Sequence, residues 1–359
     1  MAIDNKDKKV LNVPHLRFPE FSGEWENTEL QYIAPNICSG KDKPTSNGTV
    51  ALYGSTGIIG MTRLASYNEE IVLVARVGAN AGQLQITTIP CGVTDNTLII
   101  NAKEWNRYIY YYLQHYNLNR LVFGSGQPLI TGSMLKKLKI IYGEESERNK
   151  IVNLLCLLDE RIATQNKIIE DLKKLKSAIT DLLFHSIADA HTIRLGEIAH
   201  ITNGAGDVQD ANTEHQEDWY PFFDRSEELK WFPTYSFDKE AVIYAGEGQS
   251  FYPRYYNGKF ALHQRCYAIT DFASCIIPKY CYHFMNTLNS YFVRNSVGST
   301  VPSLRMDIFQ KVEIRLPPIP KQQHICKIID AFYTKLEVEQ RGISILQELK
   351  QFLLSQMFI

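Results

Sequence analysis

The chain repeats itself, and that constrains its fold more than any other feature. Displaced by 174 residues, GSGQPLITGSMLKKLKI (124–140) lies on GSTVPSLRMDIFQKVEI (298–314) without a gap. Gly124, Ser125, Pro128, Lys137 and Ile140 meet Gly298, Ser299, Pro302, Lys311 and Ile314. The register continues: Ile151, Leu154, Leu155, Leu158 and Ile162 fall on Ile325, Ile328, Ile329, Phe332 and Leu336. Ile169, Leu172, Leu175, Ile179 and Phe184 then fall on Ile343, Leu346, Leu349, Leu353 and Phe358. Chance aligns a few apolar helical positions, but not a GS-x-x-P turn upstream in the same register. The earlier parts match only with gaps. Glu29, Leu30 and Ile33 are set against Glu197, Ile198 and Ile201, and VTDNTLII (93–100) against LHQRCYAI (262–269). Each half is thus a divergent globular block followed by a similar helical block.

In 146–184 the apolar residues at 151, 155, 158, 162, 169, 172, 175 and 179 step by threes and fours, with one wider gap, along a single stripe close to a heptad seam. No Pro or Gly interrupts 144–188, and 39 residues of helix reach about 58 Å at about 1.5 Å per residue. The second copy, 320–359, opens after PPIP, a helix boundary. Gly342 weakens it by about 1 kcal/mol relative to Ala. Such a stripe must be covered, either by the helix's own block or by the other copy in an antiparallel coiled coil. The second arrangement lets a globular block fit between the end of one helix and the start of the other. Gln165 and Glu339 interrupt the two seams at the same place, where a polar residue can fix register. The expected class is α+β: two similar mixed α/β blocks and two long antiparallel helices, related by a pseudo-twofold.

With 359 residues, 45% hydrophobic and 21% charged, each block can bury a core. The net charge of −1 excludes a uniformly basic nucleic-acid coat but not a local basic groove. The opening MAIDNKDKKV has no apolar secretory region, and no apolar run has the roughly 18–20 residues of a membrane span. Seven cysteines without a CxxC point to reduced, packed thiols in cytoplasm rather than disulfides or zinc.

The familiar catalytic signatures are missing: there is no GxxxxGK[ST] loop and no HExxH helix, so no catalytic and no metal-binding residue is assigned. GANAG (78–82) reads as a turn and WNRYIYYYLQHY (105–116) as a buried aromatic helix. In the second block the acids crowd early, from Asp207 to Glu228. Bases follow (Arg254, Lys259, Arg265, Lys279, Arg294, Arg305), interleaved with Tyr252, Tyr255, Tyr256, Tyr267 and Tyr291. That stretch suits either phosphate and base contacts or a solvated face over core tyrosines. In the first block LYGSTGIIG (52–60) and the GSGQ turn (124–127) are small and hydroxyl-rich, suited to close backbone approach to phosphate.

The opening VPHLRFPEFSGEW (13–25), followed by ELQYIA (29–34), resembles the start of specificity subunits of type I restriction-modification enzymes, which commonly open Pro-x-Leu-Arg-Phe-Pro-x-Phe-x-x-x-Trp. LPPIPKQQHICKIID (316–330) is similar to their Pro-Pro-x-x-Glu-Gln-x-x-Ile junction, with Gln322 in the glutamine position and Lys321 replacing the acid. The first junction, GEESERNKI (143–151), keeps Glu147 but has Arg148 for the glutamine and lacks the prolines. The resemblance implies target-recognition domains at 1–143 and 189–317, spacer helices at 144–188 and 318–359, and a non-catalytic, cytoplasmic subunit reading a bipartite, asymmetric site in double-stranded DNA. It further implies two docked adenine-methyltransferase (modification) subunits, which would carry S-adenosylmethionine, and restriction subunits. This chain itself would hold no cofactor. By analogy and chemistry the DNA-contacting residues are expected at Ser55, Thr56, Arg76, Asn80, Thr94, Asn96, Ser125 and Gln127 in the first block. In the second they are expected at Arg225, Gln249, Arg254, His263, Gln264, Arg265, Ser299 and Arg305. The alternatives from other classes are a coiled-coil interaction scaffold without DNA specificity, and a hydrolase or transferase with a dispersed site.

Overall fold

The structure, a computed structural model, describes residues 12–123, 128–185, 187, 189–298 and 300–359. It divides into two compact units: the chain up to Asn166 joined by Arg341–Ile359, and Lys167–Gln340. In chain order the first block contains β1 (Glu26–Glu29), α1 (Leu30–Ile33), β2 (Cys38–Ser39), β3 (Val50–Gly54), β4 (Gly57–Thr62), β5 (Val72–Ala75), β6 (Leu84–Ile86), β7 (Cys91–Val93), β8 (Thr97–Ile100), α2 (Asn106–Tyr116), α3 (Gly132–Lys136) and β9 (Lys139–Tyr142). The first long helix, α4 (Glu145–His185), follows. The second block contains β10 (His191–Arg194), α5 (Leu195–Ile198), β11 (His200–Asn203), β12 (Tyr220–Phe223), β13 (Lys230–Phe232), β14 (Phe237–Ala245), β15 (Arg254–Leu262), β16 (Cys266–Thr270), α6 (Pro278–Met285), α7 (Asn289–Asn295), α8 (Met306–Gln310) and β17 (Glu313–Leu316). The second long helix is α9 (Ile319–Met357).

The duplication extends into strand pairing. β3 runs parallel to β7, and β12 parallel to β15, each an exception among antiparallel neighbours. The strand order β2-β8-β5-β6 of the first block reappears as β11-β16-β14-β15 in the second. There β15 is one nine-residue strand doing the work of both β6 and β7. The two-stranded pairs β1–β9 and β10–β17 close each block beside its long helix. They also correct one sequence alignment. Leu30 N donates to Leu138 O and Leu195 N to Val312 O, both at 2.8 Å, so Leu30 answers to Leu195 and Ile33 to Ile198. The pairing of Glu29, Leu30 and Ile33 with Glu197, Ile198 and Ile201 slips by three residues, because one helical turn of apolar spacing fits either register. The alignment of 93–100 with 262–269 holds through β8 and β16.

The helices α4 and α9 pack antiparallel, and contacts inside each unit give the register. Asp159 meets Lys350 at 2.6 Å and Gln165 lies beside Gly342 in the first unit; Lys176 lies 4.0 Å from the Tyr333 ring centre in the second. The Lys350–Asp159 and Lys176–Tyr333 contacts are images of one another under the 174-residue offset. Each helix also docks on the cores. Ile151 and Leu155 of α4 share a cluster with Tyr108, Tyr112, Leu354 and Phe358, whereas Phe184 shares one with Tyr280, Ile325 and Ile329. The seam departs from the expected stripe at one point in both copies. Leu175 and Leu349 are exposed, at 49% and 44%, and Lys176 and Lys350 take their places. A lysine stem covers apolar surface while its ammonium finds a ring or carboxylate, so residue type alone misassigns the position. Gln165 is buried in the seam, and Glu339 is largely covered beside Lys335.

Among the described residues, no helix is long and apolar enough to cross a membrane. No group of His, Cys, Asp or Glu side chains among them gathers as metal ligands.

Candidate nucleic-acid interface

In each block four loops are tied together by the same backbone hydrogen bonds. In the second block His263 N donates to Phe223 O (2.9 Å), Gly246 N to Arg265 O (2.9 Å), Gly248 N to Pro302 O (3.0 Å) and Leu304 N to Gly246 O (2.7 Å). In the first block Thr94 N donates to Tyr53 O (3.0 Å), Arg76 N to Asn96 O (3.0 Å), Gly78 N to Pro128 O (3.0 Å) and Ile130 N to Arg76 O (2.9 Å). The loops are those after β3 or β12, after β5 or β14, before β8 or β16, and the turn before α3 or α8. Gly40 and Gly204, directly after β2 and β11, let one more segment press against the loop before β8 or β16. A Cβ on Gly40 would lie 2.1 Å from Val93 O, and one on Gly204 2.0 Å from Leu262 O. Both blocks therefore present one loop cluster, built alike and furnished with different side chains.

The second block's cluster surrounds a cavity of about 250 Å³ lined by Asp207, Asp224, Arg225, Glu247, His263, Gln264 and Arg265. Arg265 Nη1 donates to both oxygens of Glu247 at 3.1 and 3.2 Å, and Arg225 Nη1 lies 3.9 Å from the same carboxylate. Gln264 N donates to Gly206 O, and His263 Nδ1 accepts from Arg265 N at 3.1 Å. Asp224 is buried beneath them. Burial pushes its carboxyl pKa up, but Lys230 at 2.6 Å and two donors from Ser226 outweigh that and hold it below the ordinary value. In the first block Ser55 and Thr56 form the β3–β4 turn, and Ser55 Oγ donates to Asn96 O at 3.1 Å. Thr94 and Asn96 sit in the loop before β8, Arg76 directly after β5, and exposed Asn80 in the next turn.

The cluster thus gathers Ser55, Thr56, Arg76, Thr94 and Asn96 on one side of the duplication, and Arg225, His263, Gln264 and Arg265 on the other. Gln249 and Arg305 are exposed beside theirs. Arg254 serves the fold: it starts β15 and donates to Ser226 O, bracing the loop from below. Ser125, Gln127 and Ser299 lie outside the described residues. The basic, tyrosine-interleaved stretch does not form one face. Tyr267 is buried with its hydroxyl on Leu304 O, Tyr256 packs on Phe223 and Phe260, Tyr255 bonds Glu240, and Lys279 and Lys311 pair with Asp330 and Asp307. Alternation along β15 sends Tyr255 and Tyr256 to opposite sides of the sheet, while Lys279 and Lys311 lie off it, on α6 and just after α8. Glu247 carried no signal in the sequence. It reaches Arg265 only because β14 and β16 are neighbouring strands.

The opening and junction motifs have a structural meaning. Arg17 forks onto Glu147 (Nε–Oε1 2.7 Å, Nη2–Oε2 2.8 Å), and Trp25 Nε1 donates to the same buried carboxylate at 3.0 Å. The opening segment is thus bolted to the first turns of α4. At the second junction Gln322 is fully buried, accepting from Ile277 N (2.9 Å) and donating to Cys275 O (2.8 Å) and Pro317 O (2.9 Å). This ties the start of α9 to the start of α6. Arg148, in the equivalent place, instead lays its guanidinium 3.4 Å from the Trp105 ring centre, just before α2.

The family of type I restriction modification DNA specificity domains matches residues 9–174 and again residues 188–351. The Escherichia coli EcoDI specificity subunit of a type I restriction enzyme is 31% identical over 165 residues, 46% of this chain and 36% of that subunit. The match therefore spans little more than a third of that relative's length. A Haemophilus influenzae chain that bears a type I specificity-subunit name is 22% identical over an alignment of 364 positions, covering 91% of this chain and 92% of its own. The crystal structure of the S subunit of the M. genitalium type I restriction-modification system shares the fold, with a TM-score of 0.70 at 17% identity, covering 97% of this chain and 99% of that one. With two tandem matches over both halves and that fold, the chain belongs to the type I restriction-modification DNA specificity family.

Proposed function

We propose that this chain is the DNA-reading subunit of a type I restriction-modification complex, with each loop cluster contacting one half of a bipartite, asymmetric duplex site. The observation that carries the reading is the duplicated cluster: the same four loops, held by the same backbone bonds, carry different polar side chains in the two blocks. Equal scaffolds with unequal readers suit a site whose halves differ. On this reading residues 1–143 and 189–317 recognise DNA, and 144–188 and 318–359 set the unread spacer. Half-sites on one face of a duplex lie about 34 Å apart, and helices of 41 and 39 residues, about 60 Å long, exceed that. Two modification subunits dock on the chain, bind S-adenosylmethionine and methylate adenine, and restriction subunits join them in the cytoplasm. The net charge of −1 fits phosphate neutralisation shared with those partners.

The test is duplex binding as a function of salt, with and without a modification partner, followed by sequencing of the methylated positions. The expected result is salt-sensitive binding and a bipartite methylated motif. Salt-insensitive affinity with no methylation pattern supports a protein scaffold instead, and turnover by the chain alone supports an enzyme.

A further inference from the structure

The second block's cluster has an arrangement that the first lacks among its described residues: one carboxylate, Glu247, braces Arg265 by hydrogen bonds and holds Arg225 at ion-pair distance, 3.9 Å, at the mouth of a cavity. Glu247 is 22% exposed, whereas Arg265 and Arg225 are 65% and 73% exposed. An unbraced exposed arginine samples many rotamers and loses that freedom when it binds. Here Glu247 takes Arg265 by Nη1 alone, and that amine's two contacts leave the Nη2 and Nε donors of the fork uncommitted. Among the residues that line the cavity, two arginines are balanced by Glu247 and Asp207, with Asp224 already neutralised by Lys230, so the lining carries no net positive charge; Arg305 is exposed outside it. A phosphate seat needs surplus positive charge; a reader of base edges needs fixed, directional donors. Two parallel donors from an arginine fork match the O6 and N7 acceptors of guanine in the major groove.

We infer that the Arg225–Glu247–Arg265 cluster reads guanine, so the half-site of the second block contains a G·C pair gripped by Arg265. This rests on the DNA-reading function above and names the base chemistry of one half.

The test uses the chain assembled with its modification partners, comparing parent, Arg265→Gln and Glu247→Gln. The readouts are methylated-site sequencing, binding to duplexes bearing single base-pair changes, and thermal unfolding. Arg265→Gln is expected to lower selectivity roughly 10- to 100-fold at one G·C pair of one half-site, leaving the other half and the salt slope unchanged. Glu247→Gln is expected to relax the same pair to a smaller degree, and it decides the matter if Arg265→Gln fails to fold. A responding half without a G·C pair overturns the inference. So does an Arg265→Gln protein that weakens all duplexes alike with a salt slope reduced by about one, the mark of a phosphate contact. So does unchanged selectivity in a folded variant. A parent complex with no bipartite methylation defeats the DNA-reading function itself, a result distinct from these.

Discussion

At the residue scale, a few buried polar side chains hold the blocks to their helices. Glu147 is 1% exposed and satisfies Arg17 and Trp25 at once, so its replacement strands a guanidinium and an indole N–H. Glu147→Ala is expected to destabilise the first unit by about 3 kcal/mol, read as a lower denaturant midpoint, with Trp25→Phe costing less. Asp224 gives a pH signature. Its folded pKa is held below the ordinary carboxylate value of 3.8, so the unfolded chain binds its proton first as pH falls. Its contribution is fully present above about pH 4 and is lost as pH drops through the folded value. Asp224→Asn is therefore expected to cost about 1.5–3 kcal/mol at pH 7 and to differ little from the parent at the acid end of an unfolding series. None of these bonds was legible in the sequence. Residues 17 and 147, or 247 and 265, meet only because strands and helices far apart in the chain pack together. The opening motif pointed at the right residues by resemblance alone, without saying that its arginine and tryptophan serve the fold.

At the scale of elements, the long helices were the most legible part. Apolar spacing of three and four, the missing breakers and the PPIP boundary placed both to within a few residues. The seam failed at Leu175 and Leu349, because neighbouring lysines can lie along apolar surface with their charge elsewhere. Short strands were illegible for a different reason: β2 has two residues, and a one-turn helix such as α1 offers too few positions to set a register. Gly342 supports a further prediction. A Cβ there would meet only Gln165 Nε2, at 3.9 Å, so Gly342→Ala is expected to stabilise α9 by about 0.5–1 kcal/mol, visible as a raised melting temperature. If the helices set the spacer, inserting about one heptad near residue 166 changes the preferred spacing in a methylation assay or abolishes binding; the same spacing as the parent counts against a ruler.

At the scale of the molecule, duplication separates what is shared from what differs. The backbone cradle is common to both blocks while the side chains on it diverge, so the repeat was legible in the sequence, whereas the loop-to-loop bonds that build the cradle were not. Exchanging residues 1–142 for the corresponding block of another family member is expected to change one half of the methylated motif and leave the other intact. Change in both halves, or in neither, contradicts modular reading. The first unit also has an odd composition in chain order. Leu16 N is bonded to Gln356 O, and Phe358 is packed among Tyr108, Tyr112 and His115, although more than two hundred residues separate these segments. A ribosome thus delivers the beginning of that unit early and its closing piece, residues 341–359, only after the whole of Lys167–Gln340 has emerged. The domain made first is finished last. In the nascent chain the faces of Tyr108 and Tyr112 that Phe358 covers stay open until then, a window in which chaperone binding or loss to proteolysis would concentrate on the amino-terminal half.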